Sequence, residues 1–315
     1  MTTAPHAPHA PATPGLAANR WAVPRLLAAD IKFSHTVFAM PFAILGAFMA
    51  RPADGTWARF SGQLALVAVC MVAARTWAMV FNRLADRTID SLNPRTARRV
   101  FASGRVPIRQ GRITLAVCAA VFIAAAAGFW FAFGNPWPVA LAVPVLAFLA
   151  FYSYTKRFTW LCHLFLGVAL SLSPVAAALA IDHRAAMSMP ALWWIAAMVA
   201  AWVAGFDIVY SLQDVQADKA QHLWSVPSRL GIHPALWISR ALHAAAVLFL
   251  LAAGRADERL GPLFLFATLA VGVLLAAEHV VLSRRGREGL HMAFFTINGI
   301  VSCVLGIVGC TDVSL

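Results

Sequence analysis

Apolar runs close to the roughly 20 residues that cross a bilayer recur along the whole chain, and no other feature constrains its fold as tightly. Nine read as spans, at about 33–50, 61–82, 113–133, 138–154, 159–181, 190–213, 234–253, 262–282 and 291–311. In lipid a spanning segment must satisfy its own backbone hydrogen bonds, so runs of this length are helices. Of the 315 residues, 61% are hydrophobic and 12% charged, about half the charge of a soluble domain. The expectation is an all-α polytopic membrane protein with one membrane domain over 30–315. Residues 1–29 read as a disordered Ala/Pro-rich arm: "MTTAPHAPHAPATPGLAANR" has no apolar centre, which argues against a cleavable signal peptide. His6 and His9 fall in that solvated arm and are not read as metal ligands. Cys70, Cys118, Cys162, Cys303 and Cys310 sit in apolar segments without paired spacing and read as small core residues.

The net charge of +12 raises nucleic acid as a partner, but membrane topology accounts for it better. Eighteen of the 25 Lys and Arg fall in the N-terminal arm and in loops after even-numbered spans; the opposite loops hold Arg51, Arg59, Arg184, Arg255 and Arg259. By the positive-inside rule the N-terminus is cytoplasmic and the C-terminus outside, which in a bacterium places the protein in the inner membrane.

Only 13 residues are acidic, and five of them lie in two stretches, "FNRLADRTID" and "DIVYSLQDVQADKA". Both stretches fall at the cytoplasmic ends of spans, the second and the sixth. On a continuous helix Asn82, Asp86 and Asp90 form a polar stripe rising about 6 Å per step, and Tyr210, Asp214 and Asp218 repeat it. An ionised acid costs about 3 kcal/mol at the bilayer centre and less at the interface, so these clusters need compensation. Ion pairing with Arg83, Arg87 and Lys219 supplies one form of it; proton or cation coupling in a transporter is a second. The third is divalent cations held by carboxylates and an amide, with phosphate oxygens completing the shell. The third accounts best for the neighbouring "NPRTARRVFASGRVPIR" and "YSYTKRF", since a metal diphosphate needs both acids and a dense basic set.

These segments resemble the UbiA superfamily of intramembrane prenyltransferases. "NRLADRTID" is similar to the family's Asn-Asp-x-x-Asp-x-x-x-Asp, with Arg83 in the second position; "PRTARRVFASGRV" keeps Arg95, Thr96, Arg99, Ser103 and Gly104 of the continuation. "YSYTKRFTW" resembles Tyr-x-x-x-Lys-Arg-x-Thr through Tyr152, Lys156, Arg157 and Thr159. "YSLQDVQADKAQHLWSVPSRLG" resembles the second acidic motif and a Ser-x-Pro-x-x-x-Gly tail through Asp214, Asp218, Ser225, Pro227 and Gly231. With "KFSHTVFAMPFAILGAF" at the first span, the Asn-Arg variant resembles members labelled 4-hydroxybenzoate polyprenyltransferases, including those assigned to menaquinone synthesis by the futalosine route.

The resemblance implies nine helices around a central cavity and magnesium-dependent transfer of a polyprenyl group from its diphosphate to an aromatic acid in ubiquinone or menaquinone biosynthesis. It implies magnesium ligation by Asn82, Asp86, Asp90, Asp214 and Asp218, and diphosphate binding by Arg99, Tyr152, Lys156 and Arg157. Asp86, Asp90, Asp214 and Asp218 then carry catalysis by stabilising the departing diphosphate. Lys32, His35, Arg75 and Asp207 are candidates for the acceptor, with an Arg75–Asp207 ion pair as the plainer alternative. Other acceptors, such as a menaquinone precursor, a haem or a related quinone ring, and a cation- or proton-coupled carrier remain the competing readings. Membrane lipid is the expected surrounding, and no nucleic-acid partner is expected.

Overall fold

The computed structural model describes residues 22–31, 38–285 and 296–315. Within them the chain forms helices α1 (Ala22–Asp30), α2 (Met40–Met49), α3 (Trp57–Ala85), α4 (Arg87–Leu92), α5 (Ile108–Phe133), α6 (Trp137–Thr155), α7 (Cys162–Ile181), α8 (His183–Ser188), α9 (Pro190–Ser211), α10 (Val215–Ala220), α11 (Val226–Leu230), α12 (Ile232–Ala256), α13 (Pro262–Arg285) and α14 (Asn298–Ser314). Seven of them, α3, α5, α6, α7, α9, α12 and α13, are long and apolar enough to span a bilayer. The shorter α2 and α14 cover described parts of the first and ninth expected spans, whose remainders at 33–37 and 291–295 lie outside the described residues. This is an integral membrane protein.

Nine helices among the described residues close into a ring: α2 packs on α3, and the order continues through α5, α6, α7, α9, α12, α13 and α14 back to α2. Small residues let the backbones approach, as lipid-embedded packing requires. A methyl added at Gly46 of α2 would stand 2.2 Å from the Pro174 carbonyl oxygen of α7, and one at Gly167 of α7 would stand 2.2 Å from that of Ala200 in α9. Helix α9 is the most buried span, and its Trp202 packs on Phe42 and Phe206 with ring centroids 5.6 and 5.1 Å away. The Trp202 indole N–H donates to Asn298 (2.6 Å), whose amide donates to the buried Glu278 carboxyl (3.2 Å), joining α9, α14 and α13 by polar contacts away from water.

Helix α3 has 29 residues, about 43 Å at 1.5 Å per residue, against a hydrocarbon thickness of about 30 Å. Its last turns therefore carry Asn82 and Arg83 into the headgroup layer. There the short helices α1, α4, α10 and α11 gather with the 93–107 loop. Helix α1 falls within the stretch expected to be a disordered arm. Its Leu27 and Ile31 bury against Val80, Leu84, Val100, Phe101 and Val106, a helical pattern masked in sequence by the Ala/Pro bias ahead of it. Residues 1–21, the rest of that arm, lie outside the described residues.

Candidate active site

The sequence expects each acidic stripe on one unbroken helix, and the backbone departs from that. Helix α3 ends at Ala85; Asp86 (φ −93°, ψ 3°) is at once its C-cap and the N-cap of α4. Likewise α9 ends at Ser211, and Asp214 caps α10. The four-residue hydrogen-bonded spacing persists through both junctions, with Asp90 N–H to Asp86 O at 2.7 Å and Asp218 N–H to Asp214 O at 2.8 Å. The acids thus remain grouped while the chain bends.

The two groups meet across the 93–107 loop. Asp214 accepts from the Asn93 amide (2.8 Å) and from Arg95, whose Nε lies at 2.8 Å and whose Nη2 makes a shorter contact; Arg95 also donates to the Tyr210 hydroxyl (3.2 Å). Asp86, 1% exposed, is held by Lys156 Nζ at 2.5 Å and Arg157 at 3.3 Å. Asp90 pairs with Arg99 at 2.7 Å, and its other oxygen, Oδ2, is buried with no hydrogen-bond partner. Asp218 accepts from the Ser225 hydroxyl at 2.8 Å. Burial raises the Asp218 carboxyl above its ordinary value and the Asp214 charge adds to this, against Ser225, Lys156 and His163. Burial opposes the charge of Arg95, yet the hydrogen bonds and charge of Asp214 outweigh it and hold that guanidinium above its ordinary value.

A cavity of about 1030 Å³ opens beneath this cluster. Asn82, Arg99, Tyr152, Lys156, Asp214 and Asp218 stand on its wall at the charged end, with Arg75 and Asp207 also on the wall. Asp86, Asp90 and Arg157 are not on the wall; they lie behind it, in the ion pairs just described. Deeper, the wall is apolar, formed by Met71, Phe122, Phe129, Val145, Leu149, Leu170 and Leu179 of α3, α5, α6 and α7. Helix α7 lines the cavity from His163 to Ala180, about 25 Å of helix.

Two acceptor candidates, Lys32 and His35, lie outside the described residues. The Arg75–Asp207 ion pair, the plainer alternative to acceptor binding, does not form among the described residues: Asp207 instead meets His163 Nδ1 at 2.6 Å. Sequence reasoning gave no role to Asp30, Asn93 and His163, because each works through a partner at least 44 residues away. Asp30 of α1 accepts from Arg83 (3.2 Å) and from the Val100 N–H (3.2 Å), and so supplies a carboxylate beside the arginine that replaces the expected second acid of the motif. Ser225 was more legible. The Ser-x-Pro-x-x-x-Gly pattern is a helix cap at each end: Ser225 and Ser228 form a capping box, and Gly231 at φ 91° takes the C-terminal position of α11.

Among the described residues no three acids cluster as a ready-made metal centre. The hard oxygens of Asn82, Asp214 and Asp218 on the wall, with a buried unpartnered Asp90 oxygen behind it and a basic cluster beside them, suit a magnesium ion whose remaining ligands come from its diphosphate. The sequence profile of the UbiA prenyltransferase family matches residues 39–300. The chain is 28% identical over 239 residues to a 4-hydroxybenzoate octaprenyltransferase of Vibrio vulnificus (strain CMCP6), covering 75% of this chain and 80% of that protein. It is 29% identical over 235 residues to the protein of the same name from Azotobacter vinelandii, covering 73% and 75%. The apo structure of a UbiA homolog from Aeropyrum pernix K1 superposes with a TM-score of 0.77 at 32% identity, over 88% of this chain and 98% of that one. A UbiA homolog from Archaeoglobus fulgidus bound to DMAPP and Mg2+ shares the fold at 16% identity, with a TM-score of 0.69 over 92% of this chain and 99% of that one. A profile that runs from α2 into α14, through every helix of the ring, leaves no room for the carrier reading: the chain belongs to the UbiA prenyltransferase family.

Proposed function

We propose that the protein transfers a polyprenyl group from a polyprenyl diphosphate to 4-hydroxybenzoate in quinone biosynthesis. One observation carries this reading: Asp214 and Asp218, beyond the end of α9, share the charged end of a long apolar cavity with Asn82, Arg95, Arg99 and Lys156, the last two paired with Asp90 and Asp86 just behind the wall. The curated relatives named for that reaction support the choice of acceptor.

Asn82, Asp86, Asp90, Asp214 and Asp218 would hold Mg2+, which when bound draws charge from the diphosphate and so eases departure of the leaving group. Arg99, Tyr152, Lys156 and Arg157 bind the diphosphate oxygens and stabilise the charge that builds there as the allylic carbon–oxygen bond breaks. Lys156, Arg157 and Arg99 now neutralise Asp86 and Asp90, so the cations that recognise phosphate are the ones that keep these carboxylates compensated beforehand. The apolar wall accepts the isoprenoid tail and excludes water, so the allylic cation meets the aromatic ring first. Arg75 and Asp207 face the acceptor, Arg75 as the partner of its carboxylate. The charged end lies at the cytoplasmic side of the bacterial inner membrane, with the N-terminus in and the C-terminus out, because the basic loops gather there.

Incubating purified protein with geranyl diphosphate, Mg2+ and a panel of aromatic acceptors tests this reading. Prenylated 4-hydroxybenzoate is the expected product. Transfer only to a naphthalene or haem acceptor moves the assignment to that ring, and no transfer to any acceptor overturns it.

A further inference from the structure

A second, smaller pocket of about 90 Å³ adjoins the connection between α10 and α11, and Leu223 lines both it and the large cavity. Its other lining residues are Lys219, His222, Ser228 and Arg229, so basic side chains converge there and no carboxylate lines it. The Ser228 hydroxyl is committed to the Leu223 and Ser225 carbonyls at 3.1 and 3.0 Å. Lys219 and Arg229 form no ion pair among the described residues, in contrast to Arg83, Arg95, Arg99, Lys156 and Arg157. The Arg229 guanidinium lies over the Trp224 ring, 3.6 Å from its centroid, a contact that fixes the group without neutralising it. Helix α10 ends with the Leu223 N–H donating to Asp218 O (2.8 Å) and the His222 N–H to Lys219 O (3.2 Å). His222, at φ 55°, takes the left-handed position in this ending that glycine would fill at less cost, and it brings a ring to the pocket.

We propose that this pocket binds the phosphate headgroup of an anionic phospholipid. Lys219, His222 and Arg229 supply N–H donors and positive charge to its oxygens, the pairing by which basic pockets beside membrane helices recognise such lipids. The position selects a lipid over a free phosphate. Helix α12 is long and apolar enough to span a bilayer and begins at Ile232, so the pocket lies where the chain enters the headgroup layer. Leu230, Ile232 and Trp237 follow with 44%, 51% and 67% of their surface exposed, apolar surface of the kind that acyl chains cover. The site also touches the machinery without belonging to it. Asp218 precedes Lys219 on α10, and the Trp224 N–H beneath Arg229 donates to Lys156 O at 2.7 Å. A headgroup bridging Lys219 to Arg229 therefore braces the turn that holds Asp218 and Lys156 in place. The binding itself stands apart from the prenyl-transfer reading above.

Thermal unfolding of the detergent-solubilised full chain tests this, with short-chain phosphatidylglycerol, phosphatidylcholine of the same chain length, or inorganic phosphate added in turn. Phosphatidylglycerol should raise the midpoint saturably, as a ligand of the folded state does, and neither of the others should do so at equal concentration. The double variant Lys219→Ala/Arg229→Ala should weaken the apparent affinity for phosphatidylglycerol by about 10-fold or more. Arg109→Ala/Arg112→Ala, which removes the same charge from exposed positions outside the pocket, should leave it unchanged. His222→Gly, with a residue at ease at this φ, should fold as well as the wild type and weaken binding by about 3-fold. An equal response to phosphatidylcholine or to inorganic phosphate, no response to any of the three, or an equal loss in the Arg109/Arg112 control overturns the assignment. So does wild-type affinity in the Lys219/Arg229 variant. Should that variant fail to fold, His222→Gly decides, and wild-type affinity there overturns it.

Discussion

Arg83 Nε stands 3.2 Å from Asp30 Oδ2, with the two side chains 12% and 9% exposed. The arginine occupies the position where the related motif carries an acid, and the compensating acid comes from α1, more than fifty residues earlier. Removing one partner of a buried ion pair leaves the other charge stranded, at a cost of about 3–5 kcal/mol. Asp30→Ala should lower the thermal midpoint of the detergent-solubilised protein, and Arg83→Leu should be far less harmful in its background than alone. Additive losses in this double-mutant cycle would show that the two do not act as a pair.

Asp214 receives three hydrogen bonds from the 93–107 loop, so it serves both the proposed metal and the closure of the site. Asp214→Ala should lower kcat by about 100-fold or more. Asp86→Ala should do the same while releasing Lys156 and Arg157. Both proteins should still insert in the membrane, because neither residue belongs to the apolar surface; a pulldown of the membrane fraction beside the activity assay checks both statements.

Metal removal should stop turnover, and Mg2+ should restore it. A prenyl diphosphate analogue together with Mg2+ should stabilise the fold by about 2.7 kcal/mol at one hundred times its dissociation constant. Neither component alone should match this, since the cations now paired with Asp86 and Asp90 must be given new partners. Thermal unfolding with each component separately and then together measures the difference.

Gly167 faces the Ala200 carbonyl where α7 meets α9, and an added methyl would overlap it at 2.2 Å. The obstacle is backbone, so it cannot swing aside. Gly167→Val should therefore cost about 1–3 kcal/mol or more and reduce transfer by displacing α7 from the cavity. Stability and activity measured on the same preparation should fall together.

The spans were legible because length and hydropathy alone force a helix in lipid, and the family motifs were legible as grouped charges. What the sequence hid was direction. Four-residue spacing reads as a continuous stripe, and nothing in "RLADRT" announces that α3 stops at Ala85. Asp86 and Asp90 therefore turn toward Lys156, Arg157 and Arg99, behind the cavity wall rather than on it. His163 and Asp207 lie 44 residues apart on different helices, and no local pattern couples them. The Ala/Pro bias of the first residues concealed α1, whose burial depends on a loop seventy residues onward.

One consequence follows from α7. The helix bears His163 at one end and borders the apolar channel along the rest of its length, with Pro174 as an internal joint clamped against Gly46. The channel wall and His163 thus hang on a single helix. A substitution that shifts α7 at the Gly46 contact therefore reshapes the bore of the channel and the seat of His163 in one movement.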